Sequence, residues 1–215
     1  MTTTTTTGKP LLRGHFHQAM FFIFLGAVVP LLMRTKTTIE FVAILIYAVC
    51  ALLMFGTSSL YHRIYWSPKN RALWKKADHA GIYLMIAGSF TPIALIGLEG
   101  PDGIKLLTII WLVASVGIIQ SFFFVHLPKY VSALIYVIAG YLIIPYVSEL
   151  HGSMGFHNLV LLVLGGVSYT LGAIGYGLKR PRLNPKYFGY HEVFHLFVNL
   201  GAAFHFFAIA SLIRG

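Results

Sequence analysis

The chain has 215 residues, 57% hydrophobic and 10% charged, with a mean hydropathy of +0.77. A soluble domain carries about 25% charged residues, and a chain this apolar would show large hydrophobic patches to water. An ordinary soluble globular protein is therefore excluded, and a polytopic membrane protein is expected. The formal net charge of +10 would point a soluble protein towards nucleic acid. Here the cations sit in short connections between apolar runs, where lipid headgroups and the positive-inside bias account for them, so nucleic acid is not an expected partner.

The opening "MTTTTTTGKPLLRG" is a threonine tract followed by a short basic segment. It does not lead into a small-residue cleavage site, so residues 1–14 read as a disordered cytoplasmic tail and not a signal peptide. Spans of about 20 mostly apolar residues follow near 16–33, 40–62, 78–98, 104–125, 130–149, 156–178 and 190–212. Residues 15–215 are thus expected to form one all-α transmembrane domain of seven helices. Pro30, Pro92 and Pro145 fall in or at the ends of these runs, where a bundle tolerates them as kinks. No period-2 alternation suggests a β-barrel. "LVLGGVSYTLGAIGYG" fits close helix packing. The single cysteine, Cys50, excludes an intrachain disulfide.

Orientation follows from Lys and Arg in the connections. The N-terminus and the connections after even-numbered spans hold Lys9, Arg13, Arg63, Lys69, Arg71, Lys75, Lys76, Lys129, Lys179, Arg180, Arg182 and Lys186. The other side holds only Arg34, Lys36, Lys105 and Arg214. This asymmetry predicts a cytoplasmic N-terminus and an outer C-terminus.

With that topology, ionisable groups gather at one depth. His62 ends the second span, Asp78 and His79 open the third, and His191 and His195 open the seventh, all from the cytoplasmic side. Polar side chains in membrane helices are costly and mark internal sites. His191 and His195 are i and i+4, about 6 Å apart along the axis, so both can reach one ion. Ser58 lies one turn deeper on the face of His62. His205 is about 15 Å deeper than His195 and lines a cavity instead of joining the ligand set. Three neutral histidines form a common open zinc site, with a nearby carboxylate to handle a water; copper, iron and nickel also take imidazole. His15, His17, His126, His151 and His157 lie near loops and read as surface histidines.

"HEVFH" at 191–195 has the HExxH form, in which a glutamate serves a zinc protease as general base. An intramembrane protease of that type needs a downstream carboxylate ligand. No acid follows His195, and Asp102 in "GPDG" lies upstream on the opposite side, roughly a 30 Å membrane thickness away. A protease is rejected.

The stretches "SSLYHRIYW", "KKADHAGIYLMIAGSFTPIAL" and "YHEVFHLFVNLGAAFHFFAI" resemble the haemolysin III family, of the superfamily that also holds the adiponectin and progestin receptors and alkaline ceramidases. The resemblance covers the chain after the threonine tract. It implies that His62, His191 and His195 bind Zn2+, that Asp78 holds the attacking water and that Ser58 supports it. His205, Glu192 and His79 are further candidates around the site or cavity. Relatives with an amide between the two histidines shift the role of base from Glu192 to Asp78. Many bacterial members approach the first span through a Glu/Asn-containing stretch before a histidine. This chain has "LLRGHFHQAM" there, with His17 as the counterpart.

The expected function is a zinc-dependent hydrolase of a lipid amide or ester, resembling a ceramidase, in a bacterial inner (plasma) membrane. A membrane lipid is the expected partner, and the sequence names no protein partner. The alternative is a non-enzymatic protein of the haemolysin III type, cytolytic, homeostatic or receptor-like, with a structural zinc.

Overall fold

The structure, a computed structural model, describes residues 9–98, 100–123, 129–184 and 186–213. They form α1 (His15–Met33), α2 (Thr38–Arg63), α3 (Pro68–Pro92), α4 (Gly100–Phe123), α5 (Lys129–Gly140), α6 (Val147–Leu178) and α7 (Tyr190–Ala210). A π-helical turn, Ile93–Gly97, extends α3, and a 3-10 turn, Tyr141–Tyr146, joins α5 to α6. No strand occurs among the described residues, only one isolated bridge between Asn184 and Phe188. The helix starts are written locally. Thr37 and Glu40 form a reciprocal capping box on α2, and Ser67 caps α3 with Pro68 in its first turn.

Six helical segments among the described residues are long and apolar enough to cross a membrane, where the hydropathy pattern predicts seven. The expected spans 130–149 and 156–178 fall in one 49-residue segment, Tyr130–Leu178. A straight rod of that length would run about 73 Å, more than twice a hydrocarbon core of about 30 Å. The segment folds back instead. Tyr141 Oη lies 3.0 Å from Thr170 Oγ1, and a Cβ added at Gly177 would sit 3.6 Å from Tyr130 Cα. The reversal is at Gly155, with φ 76° and ψ 164°, a region essentially reserved for glycine.

Two other boundaries differ from expectation. α3 begins at Pro68, ten residues before the expected start of the third span. Lys69, Arg71, Lys75 and Lys76 make this first part too polar for a hydropathy window, although it is helical. Asp78 therefore lies about 15 Å into the helix and does not open it. Residues 9–14, expected as the end of a disordered tail, are ordered against the body. Leu11 N–H donates to Lys186 O at 2.9 Å, and Lys9 Nζ donates to His62 O and Ile64 O, each at 3.2 Å. The threonine tract lies outside the described residues.

α2 runs along α3 and α6 along α7, while α1 touches both α2 and α7. Small residues set the closest approaches, as in membrane bundles. A Cβ at Gly88 would come within 2.4 Å of Cys50 Cβ, and one at Gly117 within 2.3 Å of the Tyr83 ring. Phe22, Leu112, Val116 and Phe207 point outwards and are more than half exposed, so the exterior is apolar as a lipid-facing surface requires. Gly88→Val is expected to destabilise the bundle by about 1–3 kcal/mol through overpacking at the α2–α3 contact. Gly26→Ala, with nothing within 4 Å of the added carbon, should leave stability unchanged or slightly raised. Thermal unfolding of the purified protein in detergent checks both.

Candidate metal centre

His62 lies in the last turn of α2, and His191 and His195 are in the first two turns of α7. Antiparallel packing of the bundle brings these helix ends together. One ring nitrogen from each histidine lies within 4.8 Å of the other two, the one such trio among the described residues. His62 Nε2 and His191 Nε2 are 3.1 Å apart. Tetrahedral zinc with Zn–N bonds of about 2.0–2.1 Å separates its nitrogens by roughly 3.3 Å, so the set fits such an ion with small ring adjustments. All three histidines are buried. Their i, i+4 relation and the end position of His62 produce the convergence without backbone strain.

Asp78 reaches the same space from α3: its Oδ2 is 3.5 Å from His62 Nε2. Ser58, buried one turn before His62, faces that carboxylate. His79 turns back to its own helix, Nδ1 lying 2.8 Å from Lys75 O. Glu192 is completely buried but directed elsewhere. One oxygen accepts the Gly189 N–H at 2.7 Å, capping α7, and the other pairs with Arg13. It lies about 100° around the helix from His191, on the side of α7 that meets the start of α1, and both of its oxygens are engaged by Gly189 and Arg13.

That start of α1 is built into the site. Gly14 caps the helix at φ 80°, and a Cβ there would come within 2.8 Å of His62 Cβ. His17 is buried at 3% exposure, which corrects its reading as a surface histidine. Its ring stacks on His195 with centroids 3.8 Å apart and planes at 9°. Two stacked rings cannot both point a lone pair in-plane at one ion, so His17 braces His195 and does not extend the ligand set. Asn199 Nδ2 donates to Phe16 O at 2.9 Å, one turn further along α7. The other loop histidines described, His15, His151 and His157, are exposed; His126 lies outside the described residues.

From this cluster a cavity of about 360 Å³ extends into the bundle between α3, α5, α6 and α7. Ser58, Asp78, His79, His191 and His195 line its polar end, and its walls are mostly apolar, including Ile86, Phe90 and Leu162. His205 lines the cavity deeper in, as its spacing from His195 required.

Two contributors escaped the sequence reading. The Arg13–Glu192 pair joins residues 179 apart, which leaves no local pattern. His17 had only its match to a histidine of relatives as a signal, because its polar flanks resemble a loop.

A family model described as haemolysin-III related matches residues 5–206. Hemolysin-3 of Bacillus cereus is 40% identical over 168 residues, 78% of this chain and 74% of the relative. A Hemolysin-3 homolog of Bacillus subtilis is 35% identical over 170 residues, covering 79% and 76%. The monocyte to macrophage differentiation factor of Homo sapiens is 28% identical over 168 residues, covering 76% and 67%.

Removing one partner of a buried ion pair strands the other charge. Arg13→Met is therefore expected to cost about 2 kcal/mol, below the fully buried range because the Arg13 side chain is 22% exposed. Glu192→Gln keeps an acceptor for Gly189 and leaves Arg13 able to reach water, so it should cost less. Denaturant unfolding in detergent measures both.

Proposed function

The chain belongs to the haemolysin III family; on that premise we propose that it is a zinc-dependent hydrolase of a lipid amide or ester. The observation that carries this reading is the placement of His62, His191 and His195, with Asp78 beside them, at the polar end of an otherwise apolar cavity. A cavity of about 360 Å³ is within the range of small-molecule sites, and its apolar walls suit an acyl chain.

The three histidines would hold the ion through neutral imidazole nitrogens. Zinc bound there supplies Lewis-acid polarisation of the scissile carbonyl. Asp78 accepts the proton of the attacking water and returns it to the leaving amine or alcohol. Ser58 orients the Asp78 carboxylate. His17 holds the face of His195, and the apolar walls keep bulk water from the acyl chain. Glu192, occupied by Gly189 and Arg13, takes no part in proton transfer.

The topology belongs to the same proposal. The hairpin Tyr130–Leu178 crosses twice, giving seven crossings, and its Gly155 turn lies on the side opposite the histidines. The concentration of Lys and Arg at the histidine end supports a cytoplasmic position for that end and the N-terminus, with the C-terminus outside. The membrane is the bacterial inner membrane.

A second reading is favoured by the names of the Bacillus relatives, Hemolysin-3 and its homolog. It is membrane lysis without catalysis, the metal serving to tie α2 to α7. The two readings separate on one preparation. As a hydrolase, the zinc-loaded protein should cleave a ceramide-like or lysolipid substrate, and Asp78→Asn should lower the rate on the order of 10²–10⁴-fold while metal content is kept. Lysis of erythrocytes that is unchanged by Asp78→Asn, with no lipid turnover by either protein, would favour the second reading.

A further inference from the structure

The cavity has a second polar station that the metal-centred chemistry does not use. Tyr169 on α6 and His205 on α7 both line it, their rings meeting edge to face with centroids 5.2 Å apart. His205 lies ten residues beyond His195, about 15 Å deeper along α7. The two rings are seated reciprocally. A Cβ at Gly165, one turn before Tyr169, would come within 2.1 Å of the His205 ring, and one at Gly201, one turn before His205, within 2.9 Å of the Tyr169 ring. Each helix thus has a notch for the ring of the other, which fixes both side chains.

Their hydrogen-bonding atoms are left over. His205 Nε2 lies 3.1 Å from the Leu162 carbonyl, which can only accept, so Nε2 carries the proton and Nδ1 is a bare acceptor. That Nδ1 and the Tyr169 hydroxyl are both buried without a partner. Buried polar groups are nearly always satisfied, so a fixed set of orphans beside a cavity calls for a ligand. A phenol that can donate, next to an imidazole nitrogen that can only accept, matches a group that both accepts and donates. An alcohol has that pattern; a carbonyl would leave Nδ1 unmatched, and a plain acyl chain would leave both atoms unmatched.

We infer that Tyr169 and His205 form a subsite for a hydroxyl carried on the acyl chain about 15 Å from the group held at the histidine cluster. This rests on the lipid reading of the cavity and names its substrate class more closely: hydroxylated long-chain lipids. The hydroxyl donates to His205 Nδ1 and accepts from Tyr169 Oη.

The test is a binding cycle on the full chain in lipid nanodiscs, which needs no turnover. Two fatty acids compete against a fluorescent one: a long-chain acid hydroxylated about 15 Å from its carboxyl, and its unsubstituted counterpart. Tyr169→Phe removes one hydroxyl and keeps the ring in its notch. The hydroxylated acid should lose about fivefold in affinity on Tyr169→Phe, the scale of one hydrogen bond, while the unsubstituted acid binds both proteins equally. Equal losses for both acids, or no loss for either, would overturn the subsite and leave a resident water as the partner of these atoms. Binding of neither acid to either protein would also overturn the lipid reading itself, so the two failures are distinct.

Discussion

Bringing three imidazoles and a carboxylate together inside an apolar bundle is the constraint on which the rest of the molecule depends. Each of these groups is costly to remove from water unless it is paired, and none can be satisfied by the apolar walls around it. His62 and His191 are 129 residues apart, yet their Nε2 atoms lie at 3.1 Å. That distance, with Asp78 Oδ2 3.5 Å from His62 Nε2, requires the end of α2, the start of α7 and the third turn of α3 to share one level. Bundle packing, helix lengths and the ordering of the N-terminal segment all serve that meeting.

The start of α1 turns this meeting into a fixed geometry. α7 presents Glu192, His195 and Asn199 along one side, and these meet Arg13, His17 and the Phe16 carbonyl in turn. Gly14 lets the chain pass close against His62. The segment therefore touches both helices that supply the histidines. On the opposite side of the cluster the walls become apolar within a few residues of Asp78. The polar groups are confined to one end of the cavity, and its remaining walls are mostly apolar.

Much of this was legible in the sequence because a membrane forces helices to announce themselves by length and composition. The i, i+4 spacing of His191 and His195, and of Ser58 and His62, put those side chains on common faces before any packing was known. Hydropathy was blind where helix and membrane part company. The charged start of α3 is helical though not apolar, which moved Asp78 from a helix end to a helix interior. The turn at Gly155 is one residue with an unusual backbone, so the two expected spans are joined by a reversal with no loop between them. His17 and Arg13 were illegible for another reason: their importance lies only in partners almost 180 residues away. Glu192 illustrates the same limit. "HEVFH" made it a candidate base, whereas its carboxylate is used for a helix cap and an ion pair.

The central claim is that His62, His191 and His195 hold one metal ion, and locating that ion tests it most directly. Anomalous scattering at the zinc edge from crystals of the purified protein, with elemental analysis of the same preparation, should give one zinc per chain centred among the three rings. The peak should disappear in His191→Ala. Zinc bound elsewhere, or a protein purified without chelators that contains no metal, would contradict the account.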